Sequence, residues 1–182
     1  MTLKRFGMAV ICACLAAAPA WAQKYKGDIT LSLQPGLGVA VGSFSNNYDI
    51  AVEAGAQVDF AVADGTAVGL RTSYQMFNNT NESKLRQMKI TQFGVQGKRL
   101  FNPESRLGTF GLLGGGIYWH KTIGPDLSQP DFGAFGGFGI HYESSERLAI
   151  FAETVYNVFA SEPSATGYFS FSAGITIGLS EE

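Results

Sequence analysis

Residues 168–179 read YFSFSAGITIGL. Phe169, Phe171, Ala173, Ile175, Ile177 and Leu179 share one parity, and Ser170, Ser172, Gly174, Thr176 and Gly178 the other. A period of two belongs to a β-strand, whose successive side chains point to opposite faces. Here one face is uniformly apolar and the other small or polar. A strand of this kind fits the wall of a barrel whose outside is apolar and whose inside is polar. An amphipathic strand of a soluble sandwich is the competing reading.

The same alternation recurs upstream. Residues 29–42 place Ile29, Leu31, Leu33, Leu37, Val39 and Val41 on one face, with Pro35 on the same side, where it removes a ladder donor and suggests a local bulge. Residues 50–62 put Val52, Ala54, Ala56, Val58 and Phe60 outward and Glu53, Gly55, Gln57 and Asp59 inward. Residues 66–77 put Val68, Leu70, Thr72, Tyr74 and Met76 outward and Gly69, Arg71, Ser73 and Gln75 inward. In residues 88–101, Phe93, Val95 and Phe101 face out and Gln92, Gly94, Gln96 and Lys98 face in. Residues 108–120 form a fifth strand whose glycine-rich centre assigns no face. Residues 132–143 point Phe138, Ile140 and Tyr142 outward and Gly137, Gly139, His141 and Glu143 inward. Residues 148–159 point Ile150, Ala152, Tyr156 and Val158 outward and Glu153 and Asn157 inward. With residues 168–179 the count is eight.

Parity also constrains the turn at Ala63-Asp64-Gly65. Inward residues are odd-numbered on both flanking strands, so a two-residue turn pairing Ala63 with Thr66 would put the faces out of step. A three-residue loop with Gly65 left-handed keeps them aligned. It sets Val62 opposite Thr66, and Arg71 opposite Gln57 and diagonal to Asp59.

The connections alternate in length. Residues 43–49, 78–86, 121–131 and 160–167 read as longer polar loops, and residues 63–65, 102–106 and 144–147 as short turns. In a membrane barrel the long loops face outside and the turns face the periplasm, which puts both termini on the periplasmic side. Tyr74, Trp119, Tyr156 and Phe169 then mark an outer aromatic girdle, and Phe60, Phe101 and Tyr142 an inner one.

Residues 1–22 read as a cleaved secretory signal peptide. Lys4 and Arg5 form its charged start, residues 6–18 its apolar run, and Ala20-Trp21-Ala22 its cleavage site. The barrel domain is then 23–182. Both cysteines, Cys12 and Cys14, fall in the leader, so the mature chain has no disulfide, thiol nucleophile or Cys-based metal site. Without Lys4 and Arg5 the 13 basic residues fall to 11 against 15 acidic ones, a formal charge of −4. No basic stripe points to nucleic acid. No run of 18 apolar residues follows the leader, so no transmembrane helix is encoded. The 23 glycines argue against a helical protein.

Pattern and loop asymmetry together resemble the small eight-stranded outer-membrane barrels of Gram-negative bacteria, such as the membrane domain of outer-membrane protein A and the X/Ail group. The resemblance covers roughly residues 28–179. Within the last strand, Ser172, Gly174, Ile177 and Leu179 resemble the signal read by the barrel-assembly machinery, with Leu179 where phenylalanine is usual. The resemblance implies an eight-stranded antiparallel up-and-down barrel in the outer membrane, with outer-membrane lipids and lipopolysaccharide around it. It also implies a structural or surface-interaction role, in which the loops meet a host or surface ligand. No peptidoglycan-binding domain follows the eighth strand in this sequence.

The inward polar set Glu53, Asp59, Arg71, Lys98, His141, Glu143 and Glu153 is the candidate site. An eight-stranded barrel is just wide enough to be filled by side chains, and its charges must pair or be hydrated. Arg71 with Asp59 is the expected pair, with Glu53 or Glu153 also in reach. A filled, satisfied core is the leading expectation, and a narrow porin-like channel the alternative. A lipid A-modifying enzyme would need a His with a Ser and a carboxylate at the outer leaflet. His141 near Glu143 and Ser144 is at the wrong end, and His120 with Ser128 has no supporting motif. No catalytic residue, metal or cofactor is expected. Lys84 and Arg86 are candidate contacts for lipopolysaccharide phosphates. Gly36-x-Gly38-x-x-x-Gly42 lies within a strand and has the wrong spacing for a dinucleotide loop. The sequons at Asn78 and Asn81 are of the kind expected by chance in a polar loop.

Overall fold

The computed structural model describes residues 27–79, 87–103, 105–122, 129–145, 147–161 and 164–179. The expected leader, Lys84, Arg86, Ser128 and Glu162-Pro163 lie outside the described residues.

Eight strands follow one another: β1 Ile29–Val41, β2 Tyr48–Ala63, β3 Thr66–Asn79, β4 Met88–Leu100, β5 Leu107–Thr122, β6 Gln129–Ser145, β7 Leu148–Ser161 and β8 Ser164–Gly178. Each pairs antiparallel with its sequence neighbour, and β8 closes on β1 into a barrel. Closure pairs the ladder groups that an open sheet leaves bare at its edges. At 13 to 17 residues, the strands exceed the 9–11 or so needed to cross a bilayer at a tilt.

The expected parities hold. Leu33, Val52, Leu70, Phe93, Phe138, Ile150 and Phe171 are exposed on the outside, while Glu53, Gln57, Arg71, Gln96 and Glu153 are buried within. The fifth strand, left open by its glycines, is settled by register. Leu113 and Trp119 face out, and Phe110, Leu112 and Tyr118 face in. The core of this molecule is therefore its lumen, and its apolar surface is on the outside, the reverse of a water-soluble sandwich. Among the described residues no helix is long and apolar enough to cross a membrane.

Two local expectations are corrected. Gln57 does pair with Arg71, but Ala63 pairs with Thr66, and the ladder absorbs the parity mismatch as an irregularity between Ala61 and Ala63. Gly65, with φ of 65°, turns the chain there. Pro35 causes no bulge. It stays in register opposite Ala54, and the β1–β8 ladder only lapses at positions 34 and 35 before resuming unshifted at Gly36–Ser172. A missing N–H costs a hydrogen bond without requiring an extra residue.

The loop-length alternation is weaker than the sequence suggested. The stretch 160–167 is not a long loop, because β7 and β8 run on until Ser161 pairs with Ser164. β5 and β6 also extend, pairing Trp119 with Pro130 and His120 with Gln129. Polar residues read as loop are strand here because the neighbouring strand satisfies their backbone groups. Residues 42–46 form a short 3-10 turn that inserts Phe44 over the lumen.

Candidate functional site: the lumen

The lumen is filled in layers. At the end bearing the β1–β2, β3–β4, β5–β6 and β7–β8 connections, buried aromatics close it. Phe44 lies 4.9 Å from Tyr48 and 5.0 Å from Phe77 between ring centroids, Phe77 lies 5.4 Å from Tyr168, and Tyr118 stacks on Phe159 at 5.0 Å. Edge-to-face and offset contacts of this kind suit the ring quadrupoles.

Beneath the cap runs a polar network. Gln75 donates to Ser73 Oγ at 2.7 Å, Ser73 donates to Gln92 Oε1 at 2.9 Å, and Gln92 donates to Tyr118 Oη at 3.0 Å. Tyr118 then donates to Asn157 Oδ1 at 3.2 Å, and Asn157 to Ser170 Oγ at 3.3 Å.

Deeper still, Arg71 Nη1 is 2.7 Å from Glu153 Oε1, and both side chains are essentially inaccessible to solvent. Gln34 donates to the same Glu153 oxygen at 2.9 Å, and Ser172 at 3.3 Å. Gln57 donates to Gln34, and Gln96 donates to Gln57 at 2.9 Å and to Asp59 at 2.8 Å. Lys98 Nζ sits 3.5 Å from Asp59 Oδ2, over the rings of Phe110 at 4.5 Å and Phe151 at 5.6 Å.

The expected Arg71–Asp59 pair is therefore corrected. Arg71 pairs with Glu153 across the lumen, and Asp59 pairs with Lys98. Asp59, Gly69 and Gln96 fall in one register row. A Cβ at Gly69 would collide with the Asp59 carboxylate. With glycine there, the carboxylate lies across β3 and reaches Gln96 and Lys98, leaving Arg71 for Glu153.

Glu53, 2% exposed, shares the polar section opposite Gln75 but is outside the Arg71 ion pair. His141 lies towards the other end, its ring over Gly108 and 6.5 Å from Phe110, with neither ring nitrogen in a hydrogen bond. Glu143 shares its face. Ser144 has the opposite parity and is exposed, so this run builds no Ser–His–carboxylate relay. His120 Nδ1 is 3.1 Å from Asp131 Oδ2 nearer the aromatic cap. Among the described residues no group of three or more His, Cys, Asp or Glu could hold a metal ion.

The four positions of the expected assembly signal are split by face. Ser172 bonds Glu153 inside. Gly174 gives its space to the Phe151 ring and the Leu33 carbonyl. Ile177 and Leu179 are exposed outside.

The lumen's aromatics escaped the sequence reading, which took the inner wall as polar and small. Four of them have a local signal, a glycine opposite. Phe110 pairs with Gly139, Phe135 with Gly114, Phe159 with Gly133 and Phe151 with Gly174. At each of these glycines a Cβ would strike the facing phenylalanine. Ring and glycine exchange volume across the ladder, which rescues strand glycines that would otherwise pack nothing.

At the end bearing both termini a cavity of about 530 Å³ remains, lined among others by Asp28, Lys98, Phe110, His141, Glu143 and Phe151.

Neither a protein-family model nor a curated protein matches the sequence. Solved structures do match in shape. The Neisserial surface protein A superposes with a TM-score of 0.66 at 12% identity, over 82% of this chain and 96% of that one. The outer membrane protein OprG of Pseudomonas aeruginosa gives 0.57 at 12% identity, covering 88% and 100%. Ail of Yersinia pestis, solved with the heparin analogue sucrose octasulfate, gives 0.55 at 16% identity, covering 84% and 99%. At such low identity the likeness is one of fold: the chain has the fold of the small eight-stranded outer-membrane β-barrels.

Proposed function

We propose that the chain is a closed outer-membrane barrel with a structural or surface-interaction role, supporting envelope integrity, adhesion or ligand contact through the connections at its aromatic-capped end. One observation carries the reading. The outside is an apolar belt, while the lumen is blocked by an aromatic cap and by buried polar side chains joined through the Arg71–Glu153 pair and its hydrogen bonds. A wall built to sit in lipid with a filled interior leaves the loop end as the surface for recognition. Ail and the Neisserial surface protein, by their names, are surface and attachment proteins, and Ail was crystallised with a heparin analogue. Residues 1–22 act as the export signal, and Ser172, Gly174, Ile177 and Leu179 engage the assembly machinery. A porin-like channel is disfavoured by the blocked mid-section. Lipid A chemistry is disfavoured by the separation of His141 from Ser144.

The test is fractionation with gel migration, unheated against boiled. An outer-membrane band that shifts on heating is expected, since a closed barrel resists detergent until its ladders melt. A periplasmic soluble protein with no shift would sink the proposal.

A further inference from the structure

The two ends of the lumen are built differently. The loop end is closed by Phe44, Phe77, Tyr118, Phe159 and Tyr168. The end bearing both termini holds the cavity of about 530 Å³, a size within the ~300–1,000 Å³ range of small-molecule sites. Its mouth is open because small residues line it: Ala61, Ala67 and Ala149 stand near the ends of β2, β3 and β7. Its floor is where the polar network stops. Asp59 and Lys98 line the cavity, whereas Gln96, Arg71 and Glu153 lie behind them. Phe110 and Phe151 complete the floor, with Lys98 Nζ above both rings. The cavity is blind, since the network blocks the way onward.

The lining is short of acceptors. A lysine ammonium carries three donors. Among the described residues, Lys98 Nζ meets one oxygen, Asp59 Oδ2, at the long distance of 3.5 Å, with its side chain only 11% exposed. Asp59 is itself shared, because its other oxygen accepts from Gln96 at 2.8 Å. A cation so nearly buried ordinarily finds further acceptors. His141 stands beside Phe110 on the cavity wall, buried and with neither ring nitrogen in a hydrogen bond. Arg147, exposed in the turn between β6 and β7, lines the rim. The acids are engaged: Asp59 by Gln96 and Lys98, and Asp28 and Glu143 by interactions of their own. Water would serve Lys98 but would lie against two phenyl rings and three alanines. A molecule with one acceptor head and an apolar body suits both parts of the lining. A single carboxylate fits the head, taking a charge-assisted hydrogen bond from Lys98. A doubly charged phosphate would be repelled more strongly by the Asp59 carboxylate beside it.

We propose that this cavity binds a small amphipathic monocarboxylate, an aromatic or short-chain acid, with its carboxylate on Lys98 and its body against Phe110, Phe151 and the alanines of the mouth. The site lies at the opposite end from the recognition surface proposed above and goes beyond that role. It needs only the closed barrel.

The full chain in phosphatidylcholine nanodiscs is titrated with 4-fluorobenzoate and followed by fluorine NMR, with empty nanodiscs as baseline. Neutral 4-fluorobenzamide and cationic 4-fluorobenzylamine are titrated in parallel. The carboxylate should bind saturably and about ten-fold more tightly than the amide, and the amine more weakly still. Lys98→Met combined with Asp59→Asn removes the ammonium without leaving a lone carboxylate, and should abolish the preference for the acid over the amide. Lys98→Arg should keep it. Ala67→Phe fills the mouth opposite Lys98 in the β3–β4 register and should remove binding of all three probes. No saturable binding above empty nanodiscs would overturn the proposal. Equal affinity for acid and amide, or tighter binding of the amine, would do so by denying Lys98 the head. Unchanged binding in Ala67→Phe would place the probe elsewhere and do the same. The comparison of the three probes on wild-type protein decides the matter even where a variant fails to fold. The heat shift is recorded throughout: a normal shift without acid binding defeats this site alone, whereas loss of the shift in wild type defeats the barrel reading.

Discussion

Arg71 and Glu153 carry the largest single electrostatic stake in the lumen. Neither side chain reaches solvent, and they meet at 2.7 Å. The pair itself stabilises little beyond what apolar side chains of the same volume would, but one partner left alone is a buried uncompensated charge. Glu153→Leu should therefore cost about 3–5 kcal/mol, read as a lowered urea midpoint for unfolding from lipid vesicles. Arg71→Met combined with Glu153→Leu should recover most of that loss. If the double variant is as unstable as the single one, packing around Glu153, rather than charge, is what matters. The sequence showed that Arg71 and Glu153 share the inner face, since parity alone does that. It pointed to Asp59 as the partner, with Glu53 or Glu153 in reach, where the structure has Glu153. That choice depends on Gly69 letting the Asp59 carboxylate lie across β3 towards Gln96, a contact visible only once β2, β3 and β4 are in register.

At the scale of a strand, β5 shows what its glycines are for. Gly115 faces out, and a methyl group there would approach only the Gly133 carbonyl, at 3.3 Å. Gly116 faces in, and a methyl group there would strike the backbone of Phe93 and Gly94, which cannot swing aside. Gly116→Ala should destabilise by about 1–3 kcal/mol, as overpacking does, and Gly115→Ala should change stability little. The pair can be compared by the temperature at which the unheated gel form is lost. Similar behaviour in both would mean that the two faces are not distinguished by packing as described. In the sequence, residues 111–116 looked featureless because glycine has no hydrophobicity to alternate. The faces emerge from the phenylalanines on neighbouring strands, which occupy the space the glycines leave. Pro35 shows the converse case: its lost donor was legible, but the ladder's ability to lapse and resume without a shift depended on β2 and β8 holding β1 in place.

For the whole molecule, the layered lumen predicts electrical silence. Purified protein in planar bilayers should give no stable conductance steps. Widening the mid-section by truncating Gln34, Gln57, Arg71, Gln96 and Glu153 together to alanine should produce them, provided the heat shift shows that the barrel still closes. Steady conductance in the wild type would overturn the filled-lumen account. Truncating both members of the Arg71–Glu153 pair avoids leaving either charge unpaired.

The number of strands, their antiparallel succession, the two faces of seven of them and the lumen-facing charges were determined by the sequence itself. The cause is local: a period of two is written into each segment, and a strand of such a period has only two ways to face. Loop lengths, the faces of the glycine-rich strand, the partners within the charged set and the aromatic packing were decided by the tertiary structure. Each depends on which residues of different strands arrive side by side. That is fixed by register and by closure of β8 onto β1, neither of which any single segment encodes.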